Sequence, residues 1–226
     1  MMRIEMKHYW LLPMAALFAC PAGLPAQAKL EPVPIMLPKP GYEGTPPNFL
    51  NIPNMEKPSG KERGPFLAPA GVTNVAKGKK VTSSEKDPVV GDLDMVTDGD
   101  DAQIEGNNVE LGRGVQWVTI DLTASHEIYG VLFWHYYQPR VYFSVIVQTA
   151  DDEAFTKNVQ TWFNNDTNNK AKQGAGKNLN YVETYEGKLV DCKGAQARYV
   201  RLYSAGNNAN ELNDYIEVEV FGRPAK

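Results

Sequence analysis

Apolar and polar residues alternate along much of the second half of the chain. Trp117-Val-Thr-Ile-Asp-Leu122 puts Val118, Ile120 and Leu122 on one face, the period of two that marks a half-buried strand. Glu127 to Tyr137 is a β-rich run through Ile128, Val131, Phe133 and Trp134. Val141 to Thr149 alternates through Val141, Phe143, Val145 and Val147, and Ala197 to Ser204 is a further run. In Tyr215-Ile-Glu-Val-Glu-Val-Phe221, Ile216, Val218 and Val220 share a face, with Glu217 and Glu219 on the other. No stretch sustains a period near 3.6. Clusters of Asn, Gly, Asp and Lys separate the runs, the longest from Asn164 to Asn180, seventeen residues with almost no apolar side chains. Many short strands with such breaks predict an all-β fold, an antiparallel sandwich. A polar connection of that length is usually functional or mobile.

The first 71 residues have another character. Met1 to Ala28 reads as a secretion signal. Arg3 and Lys7 give a positive start, and the apolar stretch from Tyr9 to Ala19 is too short to span a bilayer. Ala26-Gln27-Ala28 is a small-x-small cleavage site. A second reading stands beside it: Leu17-Phe-Ala-Cys20 is similar to a lipobox, in which Cys20 would carry a lipid anchor. Both predict export, to a periplasmic or extracellular location. From Lys29 to Gly71 the chain is a proline-rich leader. Ten of its 16 prolines lie between Pro32 and Pro69, which favours extended polyproline-type chain. The leader is either a linker or an ordered arm that packs through Phe49, Leu50, Ile52, Phe66 and Leu67.

Composition narrows the function classes. With 4 Trp, 11 Tyr and 8 Phe the chain can bury a large core, which excludes disorder throughout. Acidic residues outnumber basic ones, 27 to 23, and there is no basic run, so nucleic acid is not an expected partner. Cys20 and Cys192 are the two cysteines, too few for a disulfide scaffold. No Ser-His-Asp order, nucleophile elbow, His-Glu-x-x-His or Cys-x-x-Cys appears, and no enzyme activity is expected.

Five segments, in order, resemble a known family. Asn74-Val-Ala-Lys-Gly-Lys-Lys-Val-Thr-Ser-Ser84 looks like the opening strand of discoidin domains, also called coagulation-factor C-type domains. These share a fold with family 32 carbohydrate-binding modules. Val96-Thr-Asp-Gly-Asp100 is similar to the family's Asp-Gly-Asp turn, and Gln116 to Leu122 to its tryptophan strand. Ala197 to Tyr203 and Tyr215 to Gly222 resemble the last two strands. The resemblance covers residues 72 to 224 and implies a jelly-roll β-sandwich of the galactose-binding type. The chain lacks the terminal cysteine pair of many animal members. The segment from Trp134 to Asn180, with His135-Tyr-Tyr-Gln-Pro-Arg140 and Asn164-Asn-Asp-Thr-Asn-Asn169, is similar to an exported bacterial subgroup.

Two sites follow. Ca²⁺ takes six to eight oxygens, and Asp98-Gly-Asp100 sets two carboxylates around a tight turn. The resemblance implies a structural Ca²⁺ held between this turn, with Asp98 and Asp100, and Glu217 of the closing strand. A sugar site needs an aromatic face and hydroxyl-bonding amides, carboxylates, guanidinium or imidazole. His135, Tyr136, Tyr137 and Arg140 lie between two strands; Asn164, Asn165 and Asp166 form a second loop, and Asn207, Asn208 and Asn210 a third. If these loops meet at one end of the sandwich, they make a glycan site. The leading expectation is an exported, non-catalytic carbohydrate-binding module whose partner is a carbohydrate or cell-surface glycan. The alternative is a protein-interaction or envelope scaffold module with an envelope protein partner. Membrane contact is expected only through an anchor at Cys20.

Overall fold

The structure is a computed structural model that describes residues 29–40, 51–57, 59–136 and 138–225. The signal segment with Cys20, Phe49 and Leu50 of the leader, and Tyr137 lie outside the described residues. There is no α-helix among the described residues; a short 3-10 turn spans Leu93–Thr97. The described residues form eleven strands in order: β1 Leu30–Pro32, β2 Leu67–Pro69, β3 Thr73–Asn74, β4 Val81–Ser83, β5 Val109–Leu111, β6 Gln116–Trp134, β7 Ile146–Ala150, β8 Gln160–Asn164, β9 Lys188–Ser204, β10 Asn213–Tyr215 and β11 Glu217–Pro224. Every strand pairing is antiparallel.

Two long strands tie the sandwich together. β6 and β9 pair from Gln116↔Ser204 to Phe133↔Lys188, with register breaks between Asp121 and His126 and between Ile128 and Gly130. The first half of β6 pairs with β4, and the second half with β11, which pairs in turn with β3. The last part of β9 pairs with β7, and β7 with β8. The strands thus form two layers joined through β6 and β9. Thr123 takes a left-handed φ of 70° at the break, the irregularity at which a strand can change layers. Val81, Val118, Ile120 and Leu122 from one layer meet Val131, Phe133, Val218 and Val220 from the other in one buried cluster. β5 and β10 form a separate small sheet that adds Val109, Leu111 and Tyr215 to that core.

Several boundaries differ from the sequence expectation. The runs at 117–122 and 127–137 are one bent strand, β6, because the intervening residues turn without a chain reversal. The run at 141–149 is a strand only from Ile146. Ser144 has φ 51°, which breaks the alternation, although Val141, Tyr142 and Val145 are still buried. β9 begins at Lys188, well before Ala197.

The described part of the leader is an arm. β1 and β2 pair with each other, and Val33, Ala68 and Val72 join Leu132, Trp134, Ile216 and Phe221 in a second buried cluster. This explains why β6 is apolar on both faces near its end: Val131 and Phe133 face the sandwich interior, while Leu132 and Trp134 face the arm. Phe66 lies over Gly130, where any Cβ would stand 2.9 Å from the ring. Only glycine allows that approach.

Candidate functional site

The connection from β6 to β7 is the centre of the site. His135 continues the parity of Val131 and Phe133, so its ring turns inward and is fully buried. It stacks on Tyr142 at 4.2 Å with a 14° interplanar angle and meets the edge of Phe133 at 5.3 Å. Nδ1 lies 2.5 Å from Glu183 Oε1, and Nε2 has no hydrogen-bond partner. The imidazole expected at a sugar is therefore a core group, out of reach of a surface ligand.

Tyr136 and Arg140 do come together. The Arg140 guanidinium lies 3.8 Å from the Tyr136 ring centroid, a cation–π contact. Nη1 is 3.5 Å from Asp214 Oδ2, and the arginine side chain keeps 13% exposure. Asp214 is fully buried and accepts hydrogen bonds from Tyr142 Oη at 2.7 Å and Asn108 Nδ2 at 3.0 Å. Burial raises its carboxyl above the usual range, against the lowering pull of Tyr142 and Arg140. Glu110 stands opposite Asp214 on the β5–β10 ladder. Its carboxyl is also raised, first by burial and then by the Asp214 charge. Arg140 is thus the cation set against a partly buried carboxyl pair.

The three expected loops converge, but their amides face the backbone. Asn208 Oδ1 accepts from the Val141 N–H at 2.8 Å. Asn165 Oδ1 accepts from the Val145 N–H at 2.6 Å, and Asn165 Nδ2 donates to the Tyr142 carbonyl at 3.4 Å. Asp166 accepts from Ser144 Oγ and from the N–H groups of Lys170 and Ala171. Asn164 donates to the Gly174 carbonyl and accepts from the Asp166 N–H. Asn207 accepts from the N–H groups of Ala209 and Asn210, and Asn210 Oδ1 accepts from Leu212 N–H and Asn207 Nδ2. Asn164, Asn165, Asp166 and Asn207 are buried. These residues brace the 140–145 segment that presents Arg140, and the polar stretch after Asn164 is an ordered, hydrogen-bonded loop.

The acidic residues form a second centre. Glu217 is 1% exposed; its Oε2 accepts from the Gly99 N–H at 3.2 Å, while its Oε1 has no partner. Glu219, on the same face of β11, accepts from Asn74 Nδ2 through Oε1 and leaves Oε2 unpartnered. Burial pushes the Glu217 carboxyl up to about 9, helped by the charges of Asp98, Glu219 and Asp101. Glu219 is pushed up to about 7, by burial and then by Asp101, with Lys77 pulling it down. Asp98 and Asp100 are exposed in the turn; Asp98 Oδ1 accepts from the Asp100 N–H, and Asp100 Oδ1 from the Ala102 N–H. Among the described residues no three acidic, His or Cys side chains are gathered closely enough to hold a metal as they stand. Two orphaned buried carboxylate oxygens nevertheless fit a cation, since such groups are costly without one. The Asp98, Asp100 and Glu217 set expected for Ca²⁺ is not assembled as it stands: the unpartnered buried oxygens are on Glu217 and Glu219, while Asp98 and Asp100 stay exposed in the turn. Asp101 is the acidic neighbour that the sequence reading missed. It follows Asp100 directly, and the charge run Asp98–Asp101 was the visible signal.

Glu183 and Glu110 were missed as well. Both stand outside any motif, and only the fold brings them to His135 and Asp214.

No family model matches the sequence, and no curated protein matches it. Solved structures do. The family 89 glycoside hydrolase from Clostridium perfringens, in complex with 2-acetamido-1,2-dideoxynojirmycin, aligns with a TM-score of 0.50 and 18% identity. That match covers 67% of this chain and 15% of the hydrolase, so the chain spans a small part of that enzyme's length. The module CpGH89CBM32-4 of Clostridium perfringens, in complex with GlcNAc-alpha-1,4-galactose, aligns at 17% identity and TM-score 0.46, covering 68% of this chain and 96% of the module. Chitosan-binding module 1 of the Paenibacillus sp. IK-5 chitosanase/glucanase aligns at 19% identity and TM-score 0.43, covering 66% of this chain and 98% of the module. At these identities the likeness is one of fold, and the all-β sandwich agrees with the architecture that the discoidin-type motifs imply.

Proposed function

We propose that this chain is an exported, non-catalytic carbohydrate-binding domain that contacts glycan through loops at one end of its sandwich. The observation that carries the reading is Arg140: a guanidinium laid on Tyr136, backed by buried Asp214, on a segment held by Asn208, Asn165 and Asp166. A fixed fork of donors beside an aromatic ring suits sugar hydroxyls and C–H faces. Rigid support lowers the ordering cost of binding a small ligand. The fold likeness to a glycoside hydrolase solved with GlcNAc-alpha-1,4-galactose supports the class of ligand. The non-catalytic part rests on the sequence, which shows no Ser-His-Asp order, nucleophile elbow, His-Glu-x-x-His or Cys-x-x-Cys. Ca²⁺ at the Asp98, Asp100 and Glu217 centre would be structural. The signal segment supports export.

The test is a glycan and polysaccharide array in calcium buffer, run on protein whose folding is checked by circular dichroism. The expected result is a defined glycan hit that Arg140→Lys weakens about tenfold, since lysine lacks the planar fork. A blank array from folded protein overturns the reading and favours a protein partner.

A further inference from the structure

We propose that a groove on the open side of the sandwich, beside Trp162, is a second saccharide-binding site. This rests on the carbohydrate-binding reading but not on the Arg140 loop cluster, with which the groove shares no lining residue. Its volume is about 500 Å³, within the range of small-ligand clefts. It lies where β8 ends one layer and the first residues of β9 end the other, with Trp162, Leu179 and Leu189 among its walls.

A β-bulge aims the tryptophan. Val147 pairs with Phe163 and Gln148 with Thr161, so Trp162 is the extra residue of β8. A bulge of this kind redirects a side chain and disrupts the strand edge. Phe163 is buried in the interior and Trp162 packs against the same cluster. The indole Nε1 donates to Thr149 Oγ1 at 2.9 Å. Its one polar atom is thus satisfied within the sheet, and the partly buried Trp162 lies on the groove lining.

Both rims are built in advance. Asn178 N–H donates to the Asn164 carbonyl at 2.9 Å, and Asn178 Oδ1 accepts from the Asn164 N–H at 2.8 Å. On the other side the leader closes the wall: Glu56 N–H donates to the Asn180 carbonyl and Asn180 N–H to the Asn54 carbonyl, each at 2.8 Å. Glu56 pairs with Lys188 at 3.0 Å, and Lys188 Nζ lies 4.4 Å from the Tyr181 ring centroid. Lys177 and Asp191 remain as exposed charged groups on the lining.

This chemistry selects the ligand. Two lysines are balanced by two acids, which disfavours a phosphate or another strongly charged ligand. An aromatic wall with a mixed set of donors and acceptors fits an uncharged sugar, whose ring has an apolar face and a hydroxyl edge. The bulge disfavours an added peptide strand, because β8 offers no regular edge there.

The experiment is a ¹H–¹⁵N NMR titration of the whole chain with lactose, N,N′-diacetylchitobiose and cellobiose. The Trp162 indole resonance is assigned with Trp162→Phe. The expected result is that at least one disaccharide shifts that resonance saturably. Lys177→Ala or Asp191→Ala then weakens binding about tenfold, the loss of one charge-assisted hydrogen bond, while Arg140→Lys leaves it unchanged. Both rim residues are exposed; Asp191 Oδ1 also accepts from the Lys193 N–H at 2.8 Å, so circular dichroism checks the fold of each variant. Binding that leaves Trp162 unshifted and ignores both rim variants overturns the groove and leaves the loop-end reading standing. No binding of any of the three up to tens of millimolar also overturns the groove, and the array then decides the loop-end reading by itself.

Discussion

His135 Nδ1 and Glu183 Oε1 stand 2.5 Å apart inside the sandwich, with the imidazole fully buried and the carboxylate side chain 3% exposed. The two are 48 positions apart in sequence, and their contact pins the 135–145 connection to the approach of β9. Glu183→Ala leaves a buried ring nitrogen without its partner, at a cost of about 2 kcal/mol. Chemical denaturation should show a lower midpoint with an unchanged slope. His135→Ala should behave likewise, and any loss of glycan affinity comes through the loosened 135–145 connection, because the ring does not reach the surface.

Calcium should stabilise the protein in a pH-dependent way. Glu217 is raised from 4.5 to about 9 and Glu219 from 4.5 to about 7. The folded state therefore holds these protons more tightly than the unfolded chain. Their contribution to stability is fully present below about 4.5 and is lost as pH rises through 7 and then 9. Calcium would replace those protons, so its stabilisation should be larger at pH 8 than at pH 5. A hundredfold excess over Kd is expected to raise Tm by about 5–10 °C. Glu217→Gln should abolish the calcium response. Melting curves with calcium and with EDTA, at both pH values, check this.

Asp166 is a structural residue of its loop. It accepts from Ser144 Oγ at 3.0 Å, Lys170 N–H at 3.0 Å and Ala171 N–H at 2.7 Å. Asp166→Ala should cost about 2 kcal/mol, hence about 4–8 °C in Tm. Amide exchange should speed up across residues 166–176.

The leader is part of the fold. Deleting residues 29–71 uncovers Leu132, Trp134, Ile216 and Phe221, all at most 2% exposed in the intact chain. Each large apolar side chain contributes about 2 kcal/mol by burial, and a domain has about 5–15 kcal/mol of stability in total. The truncated protein should aggregate or bind a hydrophobic dye, whereas the chain from Lys29 should not. Sedimentation and dye fluorescence distinguish the two.

Cys192 is fully buried in the main core, and burial pushes its thiol far up. It should resist a thiol reagent in the native protein and react at once in denaturant.

The alternation of Val118, Ile120 and Leu122, and of Val218 and Val220, was enough to determine strands and their buried face, because a strand's period is local. The order of weak motifs from Asn74 to Gly222 likewise pointed to the sandwich. Parity even placed Glu217 and Glu219 together, opposite the apolar face. The inward turn of His135 was not legible, because residues 131–134 are apolar at every position and parity names no single buried face there. What only the tertiary structure decided lies in partners far apart in the chain. Asn208 and Asn165 looked like ligand groups, yet each meets the backbone of residues 141–145 across 67 and 20 positions. An amide's donors and acceptors are legible in sequence, but whether backbone or solvent satisfies them depends on which loop the fold brings alongside. Gly130 lies under the arm's Phe66 ring, from 64 residues earlier, and a Cβ there would stand 2.9 Å from it, a close approach that only the fold decides.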